Sequence, residues 1–316
     1  MAPLIAHPDA PSDAPPDAPP SLSVVVVSFS EPASLDRCLA SLVEPAAAHQ
    51  AEILVVRALR IDDVGYDAVR RRFSGCRWMT APAGETVPRM RWLGMSAARG
   101  DVVALTEDDC VVDAQWCGAV IRAHREPWVA VGGAVEPGPY TRASDWAVYF
   151  FEYGRFMLPF DQRESSVLPG NNVSYKRRAL AEKSFVETEG FYEVFVHEAW
   201  RRQGLPMLIT PTLIVTNRHT WPRSHVTVNP FHHGRGFAAR RVARQSWLRR
   251  GMLALLAPLL PLLQVYRIIR LIAARGRLIV QLVRAIPWFV VFGTSWAAGE
   301  LVGYLFGPGK SAQHWR

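Results

Sequence analysis

Glu107-Asp108-Asp109 place three carboxylates side by side at the end of an apolar run, residues 101–106 (DVVALT). Adjacent carboxylates repel one another, and they are costly beside buried backbone unless a positive group binds there. A divalent cation carrying a phosphate answers that need. Mg²⁺ and Mn²⁺ take oxygen ligands and share them with substrate phosphates. The plainer alternative is a solvated turn in which Asp109 or Asp113 caps the following helix. The element in front decides between them, because ligands of open α/β sheets bind at the carboxyl ends of the strands.

The flanking sequence predicts such a sheet. Residues 22–29 (LSVVVVSF) form a continuous apolar, β-branched run, the mark of a strand buried on both faces. Ser30 is placed to cap the next helix and Pro32 fits its first turn. Leu35, Leu39 and Leu42 then recur at helical spacing. Residues 52–56, 76–79, 101–106 and 129–135 read as further strands, and 63–73, 86–98 and 113–125 as helices. Short strands alternating with helices predict an α/β fold, a mostly parallel sheet with helices on both faces. Residues 137–225 are more mixed. They hold a loop at Leu168-Pro169-Gly170-Asn171-Asn172 and a helix over 191–203 that stops at Gly204.

Charge divides the chain. After residue 200 there are 17 Lys and Arg against one acid, Glu300; before it, 19 against 27. A nucleic-acid binder would carry its basic surface on the folded body, and here the body is acidic and the tail basic and apolar. That pattern suits a domain held at an anionic membrane surface. Cys38, Cys76, Cys110 and Cys117 form no C-x-x-C pair, which argues against a disulfide framework or structural zinc and for a reducing, cytosol-facing compartment. Residues 1–20 repeat Asp-Ala-Pro and read as a disordered, PPII-leaning leader rather than a secretion signal. The expected divisions are that leader, an α/β region at 21–136, a more mixed region at 137–225 of the same domain, and a membrane-associated helical tail at 226–316.

Five segments, in order, resemble the family-two glycosyltransferases, which share a nucleotide-sugar-binding fold. They are residues 23–30 with Leu35-Asp36-Arg37-Cys38-Leu39; Glu52-Ile53-Leu54-Val55-Val56; Arg91-Trp92-Leu93-Gly94 leading through Gly100-Asp101 to the acidic triplet and Trp116; Pro169-Gly170-Asn171-Asn172 with the basic Lys176-Arg177; and His197-Glu198-Ala199-Trp200 with Gly204 behind it. The resemblance covers about residues 21–220. It implies a nucleotide-sugar-binding region at 21–136 and an acceptor-side region at 137–225. Asp109 would bind Mg²⁺ or Mn²⁺ under the donor diphosphate, with Glu107 and Asp108 supporting the metal or the donor sugar and ribose. Ser28, Ser30, Arg89, Arg91, Asn171 and Asn172 would then lie on the donor side, and Arg57 would meet phosphate or sit in solvent. Glu198 would take the proton from the acceptor hydroxyl, and a single base gives inversion.

Read from the residues alone, Glu198 lies one turn from Val194 and two from Phe191, on an apolar face. The competing reading pairs it with Arg201 on a surface helix. His197 is the rival base. Arg89 and Arg91 either meet donor phosphates or bridge to the acidic body, and the two asparagines either bind the donor or satisfy their own turn.

Three departures from the family pattern matter. Val56-Arg57-Ala58 stands where the family carries an acid, with Asp62 and Asp63 the nearest substitutes. Trp92 replaces a common Asn. No Gln-x-x-Arg-Trp signature is present, since Gln245-Ser246-Trp247-Leu248-Arg249 does not match, which points to transfer of one sugar rather than polymerisation.

The expectation is therefore an inverting, metal-dependent hexosyltransferase at the cytoplasmic face of the inner membrane. It would move a sugar from a nucleotide-diphosphate donor to a lipid-linked or polysaccharide acceptor. The alternative is an inactive sugar-nucleotide fold serving as a membrane scaffold. In the tail, residues 235–250 hold six arginines, and 267–284 hold five. Residues 235–250 and 252–284 are expected to lie in the interface against anionic lipid, and 285–306 to be the one crossing or the deeper arm of a re-entrant hairpin. A soluble helical cap packed on the body is the competing reading.

Overall fold

A computed structural model describes residues 20–59, 64–181, 190–243 and 245–311. The leader up to Pro19, and Asp62 and Asp63, lie outside them. The strands are β1 (Leu22–Ser28), β2 (Glu52–Ala58), β3 (Arg77–Ala81), β4 (Val102–Glu107), β5 (Cys110–Val112), β6 (Ala130–Pro137), β7 (Arg163–Glu164), β8 (Asn172–Lys176) and β9 (Met207–Asn217). The helices are α1 (Pro32–Ala47), α2 (Val64–Arg72), α3 (Val87–Ala97), α4 (Trp116–Ala123), α5 (Ala143–Glu152), α6 (Glu193–Arg202), α7 (Ser224–Thr227), α8 (Asn229–Arg241), α9 (Trp247–Leu256), α10 (Leu260–Arg275) and α11 (Ile279–Phe306).

The sheet runs β3-β2-β1-β4-β8-β6-β9-β5, with β7 beside β9. The β3-β2-β1-β4 half is parallel, and β6 and β9 are parallel to each other. β8 runs antiparallel between β4 and β6 and joins the two parallel groups. Every residue of β1 and β4 is buried, which is why both read as unbroken apolar runs. Thr106 pairs with Asn172, so β8 begins where β4 ends. Pro137 pairs with Asn217, so β6 and β9 end on that same edge. One edge thus gathers the ends of β1, β4, β6 and β9 and the start of β8.

The first helix differs in its cap. Glu31 occupies the N-cap position of α1 without a side-chain bond, with Pro32 opening the helix. Ser30 instead gives its backbone N–H to Asp108 Oδ2 at 2.9 Å.

The tail packs on the body. Leu282, Ala285, Phe289 and Phe292 of α11, and Ile268 and Ile272 of α10, belong to the same buried core as the sheet. Phe292 stacks on Phe151 of α5 with ring centroids 4.1 Å apart. α8 and α11 touch through backbone: a Cβ on Gly299 would sit 2.0 Å from Phe231 O, and one on Gly234 would sit 2.3 Å from Trp296 O.

Glu300, the one acid of the tail, is buried. It accepts from Trp296 Nε1 at 2.9 Å, from Arg241 Nη1 at 3.0 Å and from the Tyr304 hydroxyl. Removing one partner of a buried charge leaves it uncompensated. Arg241 is itself half-exposed, so Arg241→Ala is expected to cost about 2 kcal/mol, below the usual range for a fully buried pair. Thermal unfolding checks this, and Glu300→Gln should cost less because the charge it leaves behind, on Arg241, is half-exposed.

Candidate active site

Asp108 turns inward. Its Oδ2 accepts from Ser28 Oγ at 2.8 Å and from the Ser30 amide at 2.9 Å, so it locks the end of β1 to the end of β4. Its Oδ1 has no partner among the described residues. Burial pushes the Asp108 carboxyl up to about 6, against the lowering effect of those hydrogen bonds. Ser28 Oγ also accepts from Arg57 Nη1 at 3.2 Å, and the Arg57 guanidinium lies over the Tyr66 ring. Arg57 is therefore buried near the end of β2, where the sequence departs from the family.

Asp109 faces β9. Its Oδ2 lies 3.3 Å from His219 Nδ1, and its backbone oxygen accepts from Arg218 N at 2.7 Å. Burial, then the neighbouring Glu107 and Asp108 charges, push the Asp109 carboxyl well up. Burial also lowers His219 to about 4, so its imidazole is neutral at pH 7. A carboxylate beside a neutral imidazole is a donor set that divalent cations accept. Asn171 sits alongside, donating Nδ2 to Cys110 Sγ at 3.4 Å, with its Oδ1 unpartnered among the described residues. These buried oxygens without partners fit a cation. No cluster of three or more His, Cys, Asp or Glu closes round one among the described residues.

Glu107 belongs to a second group. Arg91, buried on α3, gives Nη2 to Glu107 Oε1 at 2.6 Å and Nη1 to Glu193 Oε2 at 2.5 Å. Burial opposes the Arg91 charge, but Glu193 and Glu107 outweigh it and hold the guanidinium above its ordinary pKa. Gly170 makes room for this bridge: a Cβ there would fall 2.7 Å from Glu193 Oε1 and 2.8 Å from Arg91 Nη2. Arg91 thus ties the acidic triplet to the first residue of α6. Arg89, one turn into α3, lies 3.9 Å from Glu85 at the rim.

Three expected site residues are engaged otherwise. Glu198 is 39% exposed and forked by Arg201 at 2.8 Å and Arg202 at 3.0 Å. The Arg201 hydrogen bond, ahead of the Arg201 charge and the Arg202 contact, holds its carboxyl down at about 2. The surface-pair reading of Glu198 is the one the geometry matches. His197 is buried in the core, its Nε2 2.9 Å from the Tyr175 hydroxyl. Asn172 is spent on structure: its Oδ1 accepts from Trp116 Nε1 at 2.8 Å, and its Nδ2 donates to Ala134 O and Leu213 O. No atom of that amide remains for a donor.

Glu193, through Arg91, and His219 are brought to the acidic triplet by the fold, and the sequence left both unmarked. An acid in a helix's first turn serves any helix, and a lone His past a strand carries no spacing signal.

His197 also predicts a pH effect. Burial lowers it to about 4, and likewise buried His124, while an unfolded His titrates near 6.5. A depressed histidine stabilises the fold above 6.5, and that contribution is lost as pH falls from 6.5 towards 4. Each is expected to cost about 2 kcal/mol by pH 5. His197→Gln, which cannot protonate, should flatten the fall in Tm between pH 7 and 5.

The comparisons agree with this architecture. The Mannosyltransferase PcManGT from Pyrobaculum calidifontis, solved with GDP-Man and Mn²⁺, aligns with 13% identity over 94% of this chain and 91% of its own, with a TM-score of 0.56. At that identity it speaks to the fold alone. A mycobacterial protein of known crystal structure aligns with 16% identity over 66% of this chain and 70% of its own, with a TM-score of 0.46, a likeness too loose to fix the fold. A search of curated proteins finds no match. The family model for glycosyl transferase family 2 matches residues 23–183, just over half of the 316 residues. With its nucleotide-sugar fold and its acidic triplet at the sheet's carboxyl edge, the chain belongs to glycosyl transferase family 2.

Proposed function

We propose that this glycosyltransferase moves a single hexose, with inversion, from a nucleoside diphosphate sugar to a lipid-linked or polysaccharide acceptor at the cytoplasmic face of the inner membrane. The observation that carries the chemistry is the Arg91 bridge, which joins the acidic triplet to Glu193 across Gly170. Asp109 and His219 would hold Mg²⁺ or Mn²⁺, with Asp108 fixing the strand ends beneath them. Bound there, the cation offsets charge on the departing nucleoside diphosphate. Arg57 and Tyr66 would border the nucleotide end, with a buried cation standing where the family carries an acid.

Glu193 takes the place expected of Glu198. It lies at the start of α6, partly open to solvent, and Arg91 fixes its orientation. From there its carboxylate would accept the acceptor hydroxyl's proton as that oxygen attacks the anomeric carbon. One base on the face opposite the leaving group gives inversion.

Donor binding tests the reading. Thermal unfolding with a panel of nucleotide sugars, with and without Mn²⁺, should show one nucleotide class that raises Tm only with the metal, and that donor should be slowly hydrolysed. A chain that binds its donor yet never consumes it, with or without glycan or polyprenyl acceptors, would be an inactive scaffold.

A further inference from the structure

The tail has two long apolar helical segments, and they are unlike. In the most apolar 18 residues of Trp247–Arg275 only 11% are buried, against 44% in those of Ile279–Phe306. The second is accounted for: its inner face packs on α5 and α8, and its acid is neutralised by Arg241. The first is not. Met252, Leu255, Leu259, Leu262, Leu263 and Tyr266 are exposed, Leu255 by 80% and Leu262 by 73%.

By length and composition either segment is apolar enough to cross a bilayer, but the uncharged stretch of the first falls short of the roughly 20 residues that a crossing prefers. On the first, the run between Arg250 and Arg267 covers residues 251–266, which at 1.5 Å per residue spans about 24 Å. Both ends of this rod are also tied down, the start to α8 and α11, of which α11 packs on the body, and the end to the body itself. At its start, Arg250 donates to Val242 O at 3.0 Å, and Ala254 packs with Ala238 and Tyr304. At its end, Arg275 donates to Arg155 O at 3.2 Å, and Arg277 just beyond meets Glu136 at 2.7 Å. A rod fastened to one body at both ends does not place those ends on opposite sides of a membrane. Glu136 is near the end of β6, on the edge that carries the acidic triplet.

We infer that α9 and α10 lie in the plane of an anionic bilayer surface, with the leucine face in the acyl boundary and the body's carboxyl edge held at headgroup level. The charge chooses the occupant: Arg249 and Arg250 flank the apolar run on one side and Arg267 and Arg270 on the other, with no acid on either helix. Apolar side chains in the interface with basic groups snorkelling to phosphates is the composition of an in-plane anchor. The active site then meets its acceptor from the membrane surface, which deepens the proposed function and rests on it for the acceptor.

The test is flotation of the full chain with phosphatidylglycerol-containing vesicles and with phosphatidylcholine vesicles, each sample also assayed for Mn²⁺-dependent donor stabilisation. The full chain should float with the anionic vesicles. Leu255→Glu with Leu262→Glu should weaken that binding more than tenfold, and Arg267→Gln with Arg270→Gln by on the order of 10- to 30-fold. Donor stabilisation should be unchanged in both. Flotation of the leucine pair at the wild-type level overturns the inference, because another surface then carries binding. So does a wild-type chain that ignores anionic vesicles and sediments as a dimer, because the face is then an interface between copies. Loss of donor stabilisation in a chain that still floats normally counts against the catalytic reading alone.

Discussion

Glu193→Gln is expected to lower kcat by about 10²- to 10⁴-fold, the usual worth of a general base. KM for the donor should move little. Glutamine keeps the shape and one oxygen for Arg91 but cannot take a proton. Arg91 retains its bond to Glu107, so the donor side stays assembled. Glu198→Gln is the control. Its carboxylate is turned to solvent between Arg201 and Arg202, so turnover should stay within about twofold of wild type. Single-turnover rates at saturating donor separate chemistry from binding. Equal losses in the two variants would return the base to the outer face of α6.

The second large effect is at the metal. Asp109→Asn replaces the carboxylate nearest His219 with an amide, which removes charge and a strong oxygen donor at once. Mn²⁺-dependent donor affinity should fall at least about 100-fold, beyond the 10- to 100-fold typical of supporting groups around a metal. His219→Ala should weaken the same metal dependence, because its neutral ring faces Asp109 Oδ2. Calorimetric titration of donor with and without Mn²⁺ reads both. An Asp109→Asn protein with full metal-dependent affinity for every donor would remove the metal from this edge.

The strands were legible because burial on both faces forces unbroken apolar runs, as in β1 and β4. The acidic triplet was legible because it interrupts such a run at its carboxyl end. What was hidden depended on distant partners. Glu193 and Glu198 stand five residues apart on α6, about 140° round the helix, and nothing local says which faces the sheet. The answer comes from Arg91, 102 residues away. Asn172 looked available because its partners belong to Trp116, β6 and β9. His219 gains meaning only when β9 pairs with β5 and brings it to Asp109. In the tail, composition showed two greasy segments, but only packing distinguished the one buried on α5 and α8 from the one left bare.

Proton NMR of the anomeric region during turnover tests the central claim most directly. With Mn²⁺, wild-type protein should consume one nucleotide sugar and yield first a product of inverted anomeric configuration, and Glu193→Gln should leave the donor signal unchanged over the same interval. Retention of configuration, or undiminished consumption by the Glu193→Gln protein, would contradict direct displacement by that carboxylate.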